Sequence, residues 1–281
     1  MLAVNDGAGL DAKLAQLKRT LAELPSALLA FSGGVDSSFV LRVAHEVLDA
    51  RLTALTTVSP ANPEDDTATA VALARQLGVR HLVIPSSELE IPHYAANPTN
   101  RCYFCKDRLY EICAAEAHAR GIAAIVDGVN ADDLGDFRPG LQAATEHGVR
   151  HPLVEVGLTK AELRVISRAL GLPTWDKPAS PCRSSRFPYG TEITLERLQM
   201  VGRAEEVLRR LGFHDVRVRF HGEIARIEVG TSELARFADP EVRATAVTGV
   251  RGAGFRHVTL DLEGFRSGGL NDQRPPLPGT R

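Results

Sequence analysis

The sequence predicts an α/β fold with an open parallel sheet, followed by a smaller α+β domain. Short apolar runs alternate with amphipathic stretches up to about residue 130, which is typical of right-handed β–α–β units. The turn after the first apolar run is rich in glycine. Beyond about residue 190 the order changes to helix, two strands, a helical segment and a last strand. These three observations predict the fold class.

The elements of the first domain follow in alternation. Helical spacing of apolar residues predicts helices over 10–23, 37–48, 64–77 and 107–120, and buried apolar runs predict strands over 27–31, 52–58, 81–85 and 122–128. The segment before the last of these helices opens with Asn97-Pro98, so the two cysteines that follow are expected on a loop.

The second domain begins with a predicted helix over 194–211. Strands are predicted over 216–220, 224–230 and 256–262, with a helical segment over 231–247. We therefore expect one domain over 1–190 and a second over 191–268. The tail, 269–281, is rich in proline and predicted to be disordered.

Composition limits the classes of function. The chain has 281 residues, 44% hydrophobic and 24% charged, with a net charge of −2, so nucleic acid binding receives no general electrostatic support. The chain has no run of 18 apolar residues, so no membrane span is expected. The N-terminus lacks the pattern of a signal peptide. A cytoplasmic location is expected, where a cysteine pair favours a metal, cluster or catalytic site over a disulfide.

The segment between the first strand and the next helix reads Phe-Ser-Gly-Gly-Val-Asp-Ser-Ser, residues 31–38. Glycines let the backbone approach an anion closely, and the N–H groups at the helix start then point at it. Serine hydroxyls can add donors, and Asp36 suits a Mg²⁺ ion that bridges phosphates. The lysine of a Walker loop and the G-x-G-x-x-G of a dinucleotide-binding fold are both missing. The segment therefore predicts a phosphate site of another kind.

These residues resemble the S-G-G-x-D-S signature of the PP-loop ATP pyrophosphatases, whose domain is of the adenine nucleotide alpha hydrolase-like type. The resemblance implies that the loop grips the pyrophosphate of ATP while a substrate attacks the α-phosphorus. It assigns ATP binding to Ser32, Gly33, Gly34, Val35, Asp36, Ser37 and Ser38. The alternative interpretation is a tight strand–helix turn built from small residues.

A second segment, residues 127–140, follows the fourth predicted strand. Ligands of an open parallel sheet bind beyond the carboxyl ends of its strands, and this segment resembles the G-x-N-x-D-D of the same superfamily. Gly128, Asn130 and Asp132 are assigned to the nucleotide on that ground, although a solvated loop has a similar composition. Thr57, near the end of the second strand, is the predicted adenosine contact.

Three of the four cysteines form a pattern. Cys102 and Cys105 lie three residues apart, and Cys182 lies in a Pro-rich stretch beside Arg183 and Arg186. Two thiolates at this spacing can share one metal centre, and a third can close on it from a distant loop. Three ligands leave one position open, which suits a reactive centre. A zinc site completed by histidines stays open at this point, as does a chance placement of arginines beside Cys182.

Behind the glycine loop, the segments RCYFCK, PCRSSRFPYG, VRVRFHGEIARIEVG and VTLDLEGFRSGGLN occur in an order that resembles the LarE family. The resemblance implies an ATP-dependent sulfur transferase that adenylates a carboxylate of pyridinium-3,5-biscarboxylic acid mononucleotide and replaces AMP with sulfur. The product belongs to biosynthesis of the nickel-pincer cofactor of lactate racemase. One-cysteine members sacrifice a cysteine sulfur, whereas three-cysteine members are understood to hold a [4Fe-4S] cluster.

The three-cysteine pattern implies a cluster that passes on sulfur from a sulfide donor. Catalytic roles are assigned to the three thiols, one acid and one arginine: Cys102, Cys105, Cys182, Asp36 and Arg186. The same thiols are the predicted cluster ligands, and Asp36 is the predicted ligand of Mg²⁺.

Other side chains are assigned to the substrates. Arg217 and Arg219 project from one face of a predicted strand, where they suit a phosphate or carboxylates. The family implies that they bind the substrate phosphate and that Glu205, on the preceding helix, lies near the substrate or a metal. A solvated polar face is the alternative for all three. Lys106 is assigned to ATP, and a homo-hexamer and contacts with other nickel-pincer proteins are expected from the family.

Three other functions compete with this prediction. A PP-loop tRNA thiolase also combines the loop with cysteines, but it usually needs a basic surface or an RNA-binding module. An amide-forming synthetase of the NAD or GMP type has no use for three cysteines. A non-catalytic nucleotide- or metal-binding protein fits poorly with an intact glycine loop.

Overall fold

The computed structural model describes residues 6–135, 139–178 and 180–266, and it has the predicted α/β architecture. The chain forms two compact units. The first comprises the chain up to Glu88 and from Cys102 to Ser180, and the second comprises Leu89–Arg101 and the chain from Pro181 onward. The domain boundary predicted at residue 190 stays a prediction, and the predicted tail at 269–281 lies outside the described residues.

Helices and strands alternate through the first part of the chain. In order they are α1 (Asp6–Ala22), β1 (Ala27–Ala30), α2 (Val35–Leu48), β2 (Leu52–Val58), α3 (Glu64–Leu77), β3 (Arg80–Pro85), α4 (Pro92–Ala95), α5 (Arg101–Arg120), β4 (Ala124–Val126), α6 (Pro139–Glu146), α7 (Pro152–Glu155) and α8 (Lys160–Ala169). The later elements are α9 (Leu195–Arg210), β5 (Arg217–His221), β6 (Ile224–Glu228), α10 (Pro240–Gly252) and β7 (His257–Leu260).

The sheet of the first unit has the order β3-β2-β1-β4, and every pair in it is parallel. Leu29 of β1 lies opposite Ala54, and Leu28 lies opposite both Thr53 and Ile125. Successive side chains of a strand point to opposite faces. Leu29 therefore joins the core beneath α1, α2, α3 and α8, whereas Leu28 joins the core beneath α5 and α6. The parallel sheet covered by helices is confirmed.

The second unit contains a three-stranded sheet in the order β5-β6-β7. Strands β5 and β6 are antiparallel, whereas β6 and β7 are parallel. Helix α9 packs on β5, and α10 packs on α9. This is the smaller α+β arrangement that the later sequence predicts.

One local prediction is wrong. Helix α5 begins at Arg101, so Cys102 and Cys105 lie in its first turns and not on a loop. Cysteine and aromatic residues favour helices only weakly, which hid this turn from the sequence pattern. The helical segment predicted over 231–247 is present, divided into a 3-10 helix, Thr231–Ala238, and α10. Pro240 at the first turn of α10 and the Asp239 cap separate the two.

Further helices were not predicted between 139 and 169. Helix α8 has a capping box, in which Thr159 accepts from the N–H of Glu162 and the Glu162 side chain accepts from the N–H of Thr159. The Thr-Lys-Ala-Glu sequence carries that signal. Among the described helices, none has the length and apolarity needed to cross a membrane.

Candidate active site

The glycine loop connects β1 to α2 in the predicted conformation. Gly34 is the N-cap of α2 and makes no side-chain cap hydrogen bond, so the loop offers backbone N–H groups at the helix start. Gly33 has a φ of 72°, and a Cβ there would lie 2.8 Å from the carbonyl oxygen of Asp66. Both features require glycine at position 33, because a larger residue would be strained and would collide with α3.

Serine hydroxyls organise the same loop. The Oγ atoms of Ser32 and Ser37 are 3.1 Å apart, and the N–H of Ser32 donates to Ser37 Oγ over 3.3 Å. The side chain of Ser38 is fully buried beneath the loop. Ser32 and Ser37 are therefore the hydroxyls that lie at the loop itself, and the ATP-binding roles predicted for residues 32–38 stay predictions.

The second predicted nucleotide segment lies against this loop. A Cβ at Gly128 would be 2.7 Å from the backbone nitrogen of Ser37, so the chain after β4 packs directly on the first turn of α2. Asn130 is buried, and its Oδ1 accepts from the N–H of Asp132. Asp132 in turn accepts from the N–H of Lys160 over 2.8 Å. The structure thus brings the two predicted segments together at one edge of the sheet.

Thr57 lies at the same edge and is the last residue but one of β2. It is half-buried, and its carbonyl oxygen accepts from the amide of Asn62 over 3.1 Å. Its place beyond the central strands agrees with an adenosine contact, which stays a prediction.

Asp36 combines one paired oxygen with one unpaired oxygen. Its Oδ2 is ion-paired with Lys160 Nζ. Its Oδ1 is buried and has no hydrogen-bond partner among the described residues. A buried carboxylate oxygen without a partner is costly unless a cation or donor fills the place. The donor set at Asp36 therefore fits the predicted Mg²⁺, whose preferred ligands are oxygens.

Two lysines at the loop escaped the sequence analysis. Lys160 pairs with Asp36, and Lys177 Nζ lies 2.9 Å from Asp66 Oδ1 and donates to the carbonyl of Gly33 over 3.1 Å. The capping box that starts α8 could have located Lys160. Lys177 lies in an irregular segment, and no sequence pattern marked it.

The cysteine pair lies on the first turns of α5. Cys102 is exposed and Cys105 is half-buried, and residues three apart on a helix share a face. Lys106 follows, with its Nζ 5.7 Å from the centre of the Tyr110 ring. Cys113 is buried, as the sequence indicated, and burial raises the pKa of its thiol to about 12. In the described part of the chain, no three Cys, His, Asp or Glu side chains are grouped so as to hold a metal ion.

A buried carboxylate connects α5 to the end of β4. Asp127 accepts from the Tyr110 hydroxyl over 2.8 Å, and His151 Nδ1 lies 2.7 Å from its other oxygen. The N–H of Val129 donates to Asp127 over 3.0 Å. The hydrogen bond to Asp127 raises the pKa of His151 above its ordinary value, against an opposing effect of burial. This network fixes the start of the nucleotide segment.

In the second unit, Arg186 and Glu205 form a buried ion pair. Arg186 is 1% exposed, and its Nε lies 2.7 Å from Glu205 Oε1. Glu205 also accepts from Arg209 and from the N–H of Val218, so both its oxygens are occupied. Burial alone would raise the pKa of Glu205, but Arg186 and Arg209 outweigh it and lower that pKa. The alternative of a solvated charge at Glu205 is wrong, and its substrate-binding role stays a prediction.

Arg217 and Arg219 are buried, at 9% and 5% exposure, so they do not form a solvated polar face. Arg219 pairs with both carboxylate oxygens of Glu228 through its Nε and Nη2 atoms, at 2.9 and 2.7 Å. Arg217 stacks on the ring of Phe265, 4.8 Å from its centre. Burial, together with repulsion from neighbouring arginines, lowers the pKa of Arg217 to about 10.

Positive charge is in excess around Arg217. Among the described residues, five arginines lie near four carboxylates in this cluster: Arg186, Arg209, Arg217, Arg219 and Arg226 with Glu205, Glu206, Glu228 and Asp261. Three of these arginines repel the charge of Arg217 and one carboxylate attracts it, and such a surplus favours an anionic ligand. The cluster therefore suits a phosphate or carboxylate, as the family resemblance implied for Arg217 and Arg219.

The comparisons with known proteins agree with this geometry. The chain matches the NAD synthase family over residues 13–104, the region that contains the glycine loop. It is 35% identical over 72 residues to a probable tRNA sulfurtransferase of Methanobrevibacter smithii, a match that covers 25% of this chain and 19% of that protein. Each of these two matches covers only part of the chain.

Two relatives that are at least 40% identical match almost the whole chain. An uncharacterized protein of Synechocystis, slr1717, is 49% identical over 262 residues, or 93% of this chain and 98% of that protein. The pyridinium-3,5-bisthiocarboxylic acid mononucleotide synthase of Lactiplantibacillus plantarum is 40% identical over 266 residues, or 94% of this chain and 96% of that enzyme. The chain therefore belongs to the LarE family of ATP-dependent sulfur transferases.

Proposed function

We propose that this enzyme adenylates a carboxylate of pyridinium-3,5-biscarboxylic acid mononucleotide and replaces the AMP with sulfur. The observation that carries the proposal is the glycine loop, with uncapped N–H groups at the start of α2 and a partnerless buried oxygen on Asp36. The loop suits the pyrophosphate of ATP, and Asp36 suits its Mg²⁺. The 40% identity with the L. plantarum synthase over 94% of the chain supports the choice of substrate.

The residues of the first unit account for activation. The substrate carboxylate oxygen bonds to the α-phosphorus as the bond between that phosphorus and the bridging oxygen breaks, and pyrophosphate leaves with both electrons. Loop N–H groups stabilise charge on the leaving pyrophosphate. Lys160 and Lys177 lie at the loop. Both could neutralise the same charge if a Mg²⁺ ion bound Asp36 in place of Lys160.

The second unit offers the groups that would hold the mononucleotide. The arginines that surround Arg217 support binding of the substrate phosphate at Arg217 and Arg219. In the second step a sulfur nucleophile forms a bond with the acyl carbon, and the bond to the AMP oxygen breaks. AMP is a good leaving group, so the adenylate makes an unreactive carboxylate open to attack.

We also propose that Cys102, Cys105 and Cys182 ligate a [4Fe-4S] cluster. Thiolates are the ligands that such clusters use, and the first two share a helix face. When bound, a cluster with one open iron would supply an exchangeable sulfide. The alternative is that Cys182 alone provides the sulfur.

Two further inferences rest on the family. We infer a homo-hexamer, and we infer that the product passes to other proteins of nickel-pincer biosynthesis and to a lactate racemase. Sedimentation equilibrium tests the first, and formation of active racemase from the product tests the second.

The main test combines the protein with ATP, Mg²⁺, a sulfide source and the pyridinium mononucleotide. We expect pyrophosphate release that depends on the mononucleotide, and a product whose mass shows oxygen replaced by sulfur. Asp36→Asn should lower pyrophosphate release about 100-fold or more, because several kcal/mol of charge stabilisation by the metal are lost. Thiolation of tRNA, or amidation of deamido-NAD, without reaction of the mononucleotide would overturn the proposal.

The cluster has its own test. Protein purified without oxygen should contain iron and sulfide and absorb in the visible range. Cys102→Ser should remove this absorption, whereas Cys113→Ser should leave it, because Cys113 is buried in the core away from any ligand role. An unchanged spectrum in Cys102→Ser would contradict the assignment.

A further inference from the structure

The loop that carries Cys182 is held by a set of buried contacts within the second unit. On one side lies the segment 94–101, and on the other lie the arginines of the charged cluster. We call the contacts made by Tyr94, Asn97 and Arg101 with the stretch from Ser184 to Pro188 the buried joint. None of these three side chains was assigned a role from the sequence.

Asn97 is the centre of the buried joint. It is fully buried and has a φ of 55°, a conformation that asparagine tolerates better than other non-glycine residues. Its amide nitrogen donates to the carbonyl of Pro188 over 2.8 Å, and its Oδ1 accepts from Arg101 Nη1. Its own carbonyl accepts from the N–H of Gly190 over 2.9 Å. A strained residue held on all sides indicates a position that the surrounding structure fixes.

Arg101 reaches the Cys182 loop itself. It is 5% exposed, and its Nη1 donates to the carbonyl of Ser184 over 3.0 Å. The hydroxyls of Tyr94 and Ser184 lie 2.5 Å apart. In the chain, Arg101 is followed directly by Cys102, and Ser184 lies two residues after Cys182. The joint therefore ties the peptide that leads into the cysteine pair to the loop of the third cysteine.

Two more arginines hold the same loop from the other side. Arg186 Nη1 donates to the carbonyls of Pro181 and Cys182, over 2.8 and 3.1 Å. Arg219 Nη1 donates to the carbonyl of Ser185 over 2.8 Å. Surface loops usually leave such carbonyls to water, and burying three guanidinium groups beneath one loop carries a desolvation cost. That arrangement is expected where the position of the loop matters more than its stability.

We propose that Arg101 is a positioning residue for sulfur transfer, and that its guanidinium fixes the Cys182 loop to the peptide that precedes Cys102. Arg101 acts through the loop and touches neither ATP nor the reacting carboxylate. The groups proposed to bind ATP lie in the first unit, so at a saturating concentration of the mononucleotide adenylation should not depend on Arg101. Transfer requires a thiol or its sulfur to be placed to within about 1 Å, so transfer should depend on Arg101. This inference rests on the proposed function.

The test compares the two half-reactions in Arg101→Met and Arg101→Lys. In Arg101→Met, pyrophosphate release should stay within about threefold of the wild type, while sulfur incorporation falls about 100-fold, the loss expected from a misplacement of about 1 Å. Arg101→Lys keeps a donor and should recover part of the transfer. Arg210→Met is the matched control, since Arg210 is 75% exposed and pairs only with Glu206 in the described structure.

A second readout follows the loop directly. The rate at which iodoacetamide alkylates Cys182, measured by peptide mass spectrometry, should rise several-fold in Arg101→Met and in Tyr94→Phe. Tyr94→Phe removes one hydroxyl and keeps the ring, so it serves if Arg101→Met fails to fold.

The outcomes separate the two proposals. Normal sulfur transfer in Arg101→Met or, if that variant does not fold, unchanged alkylation in Tyr94→Phe would overturn the positioning role. An equal loss of both half-reactions would overturn it too, because it would mean a general structural defect. A wild-type enzyme that releases no pyrophosphate with the mononucleotide would instead overturn the proposed function.

Discussion

At the scale of single residues, two adjacent glutamates of α9 show how position decides the role of a charge. Glu205 is 1% exposed and accepts from two arginines and a backbone N–H. The Glu206 side chain is 46% exposed and pairs with Arg210 at the surface. The sequence presents them as equivalent, and only the packing of α9 on β5 separates them.

This contrast predicts different costs for the same substitution. Glu205→Gln should lower the free energy of unfolding by about 3 kcal/mol or more, because it leaves Arg186 buried without its counter-charge. Glu206→Gln should change it by no more than about 0.5 kcal/mol, as expected for a surface pair. Urea denaturation measures both. Equal midpoints for the two variants would contradict the buried ion pair.

At the scale of elements, the glycine loop and the end of α3 both contain glycines with positive φ. Gly33 and Gly78 have φ values of 72° and 70°. A Cβ at Gly33 would meet α3 at 2.8 Å, whereas a Cβ at Gly78 would meet nothing within 4 Å. The two positions therefore share backbone strain and differ only in crowding.

Alanine at each position separates these effects. Gly78→Ala should cost about 1 to 2 kcal/mol of stability from the left-handed conformation alone and leave pyrophosphate release unchanged. Gly33→Ala should cost more, and it should also reduce pyrophosphate release, because the loop must shift away from Asp66. Denaturation curves and pyrophosphate assays on both variants provide the measurement. Full activity in Gly33→Ala would show that the loop does not need its observed shape.

The link between α5 and β4 should depend on pH. The hydrogen bond to Asp127 raises the pKa of His151, and nearby Glu155 acts in the same direction while burial and Lys106 act against it. A raised folded pKa means that this stabilisation is complete below the ordinary value of about 6.5 and is lost as pH rises through the folded value. The stability difference between wild type and His151→Gln should therefore shrink from pH 6 towards pH 9. A constant difference would show that the histidine charge does not contribute.

At the scale of the whole molecule, the sequence predicted the parallel sheet and the phosphate loop because both leave local patterns. Apolar runs such as 52–58 and the strand–helix turn at Gly33-Gly34 are visible within a few residues. The contacts of Arg219 with Ser185 and of Asn97 with Pro188 span 34 and 91 positions of the chain, and no local pattern marks them. The lysines at the loop were missed for the same reason, since Lys177 reaches Gly33 across 144 positions.

The proposed division of binding between the two units gives a separate prediction. Arg217→Met should raise the KM for the pyridinium mononucleotide about 10- to 100-fold, the effect of losing a charged hydrogen bond of about 1.5 to 3 kcal/mol. The KM for ATP should not change, because the groups proposed to bind ATP lie in the first unit. Initial-rate kinetics with each substrate varied in turn measures this, with Arg210→Met as control. A parallel rise in both constants would contradict the division.

The second unit is assembled from two stretches of chain, Leu89–Arg101 and the part from Pro181 onward. No single truncation of the chain can therefore produce the second unit with both of its stretches and without the first unit. A fragment starting at Pro181 would retain the Cys182 loop and the arginine cluster, but it would lack Tyr94, Asn97 and Arg101, and the carbonyls that those side chains satisfy would be left to water. Ribosomal synthesis imposes the same order, so the early stretch must wait for most of the remaining polypeptide before it finds its partners.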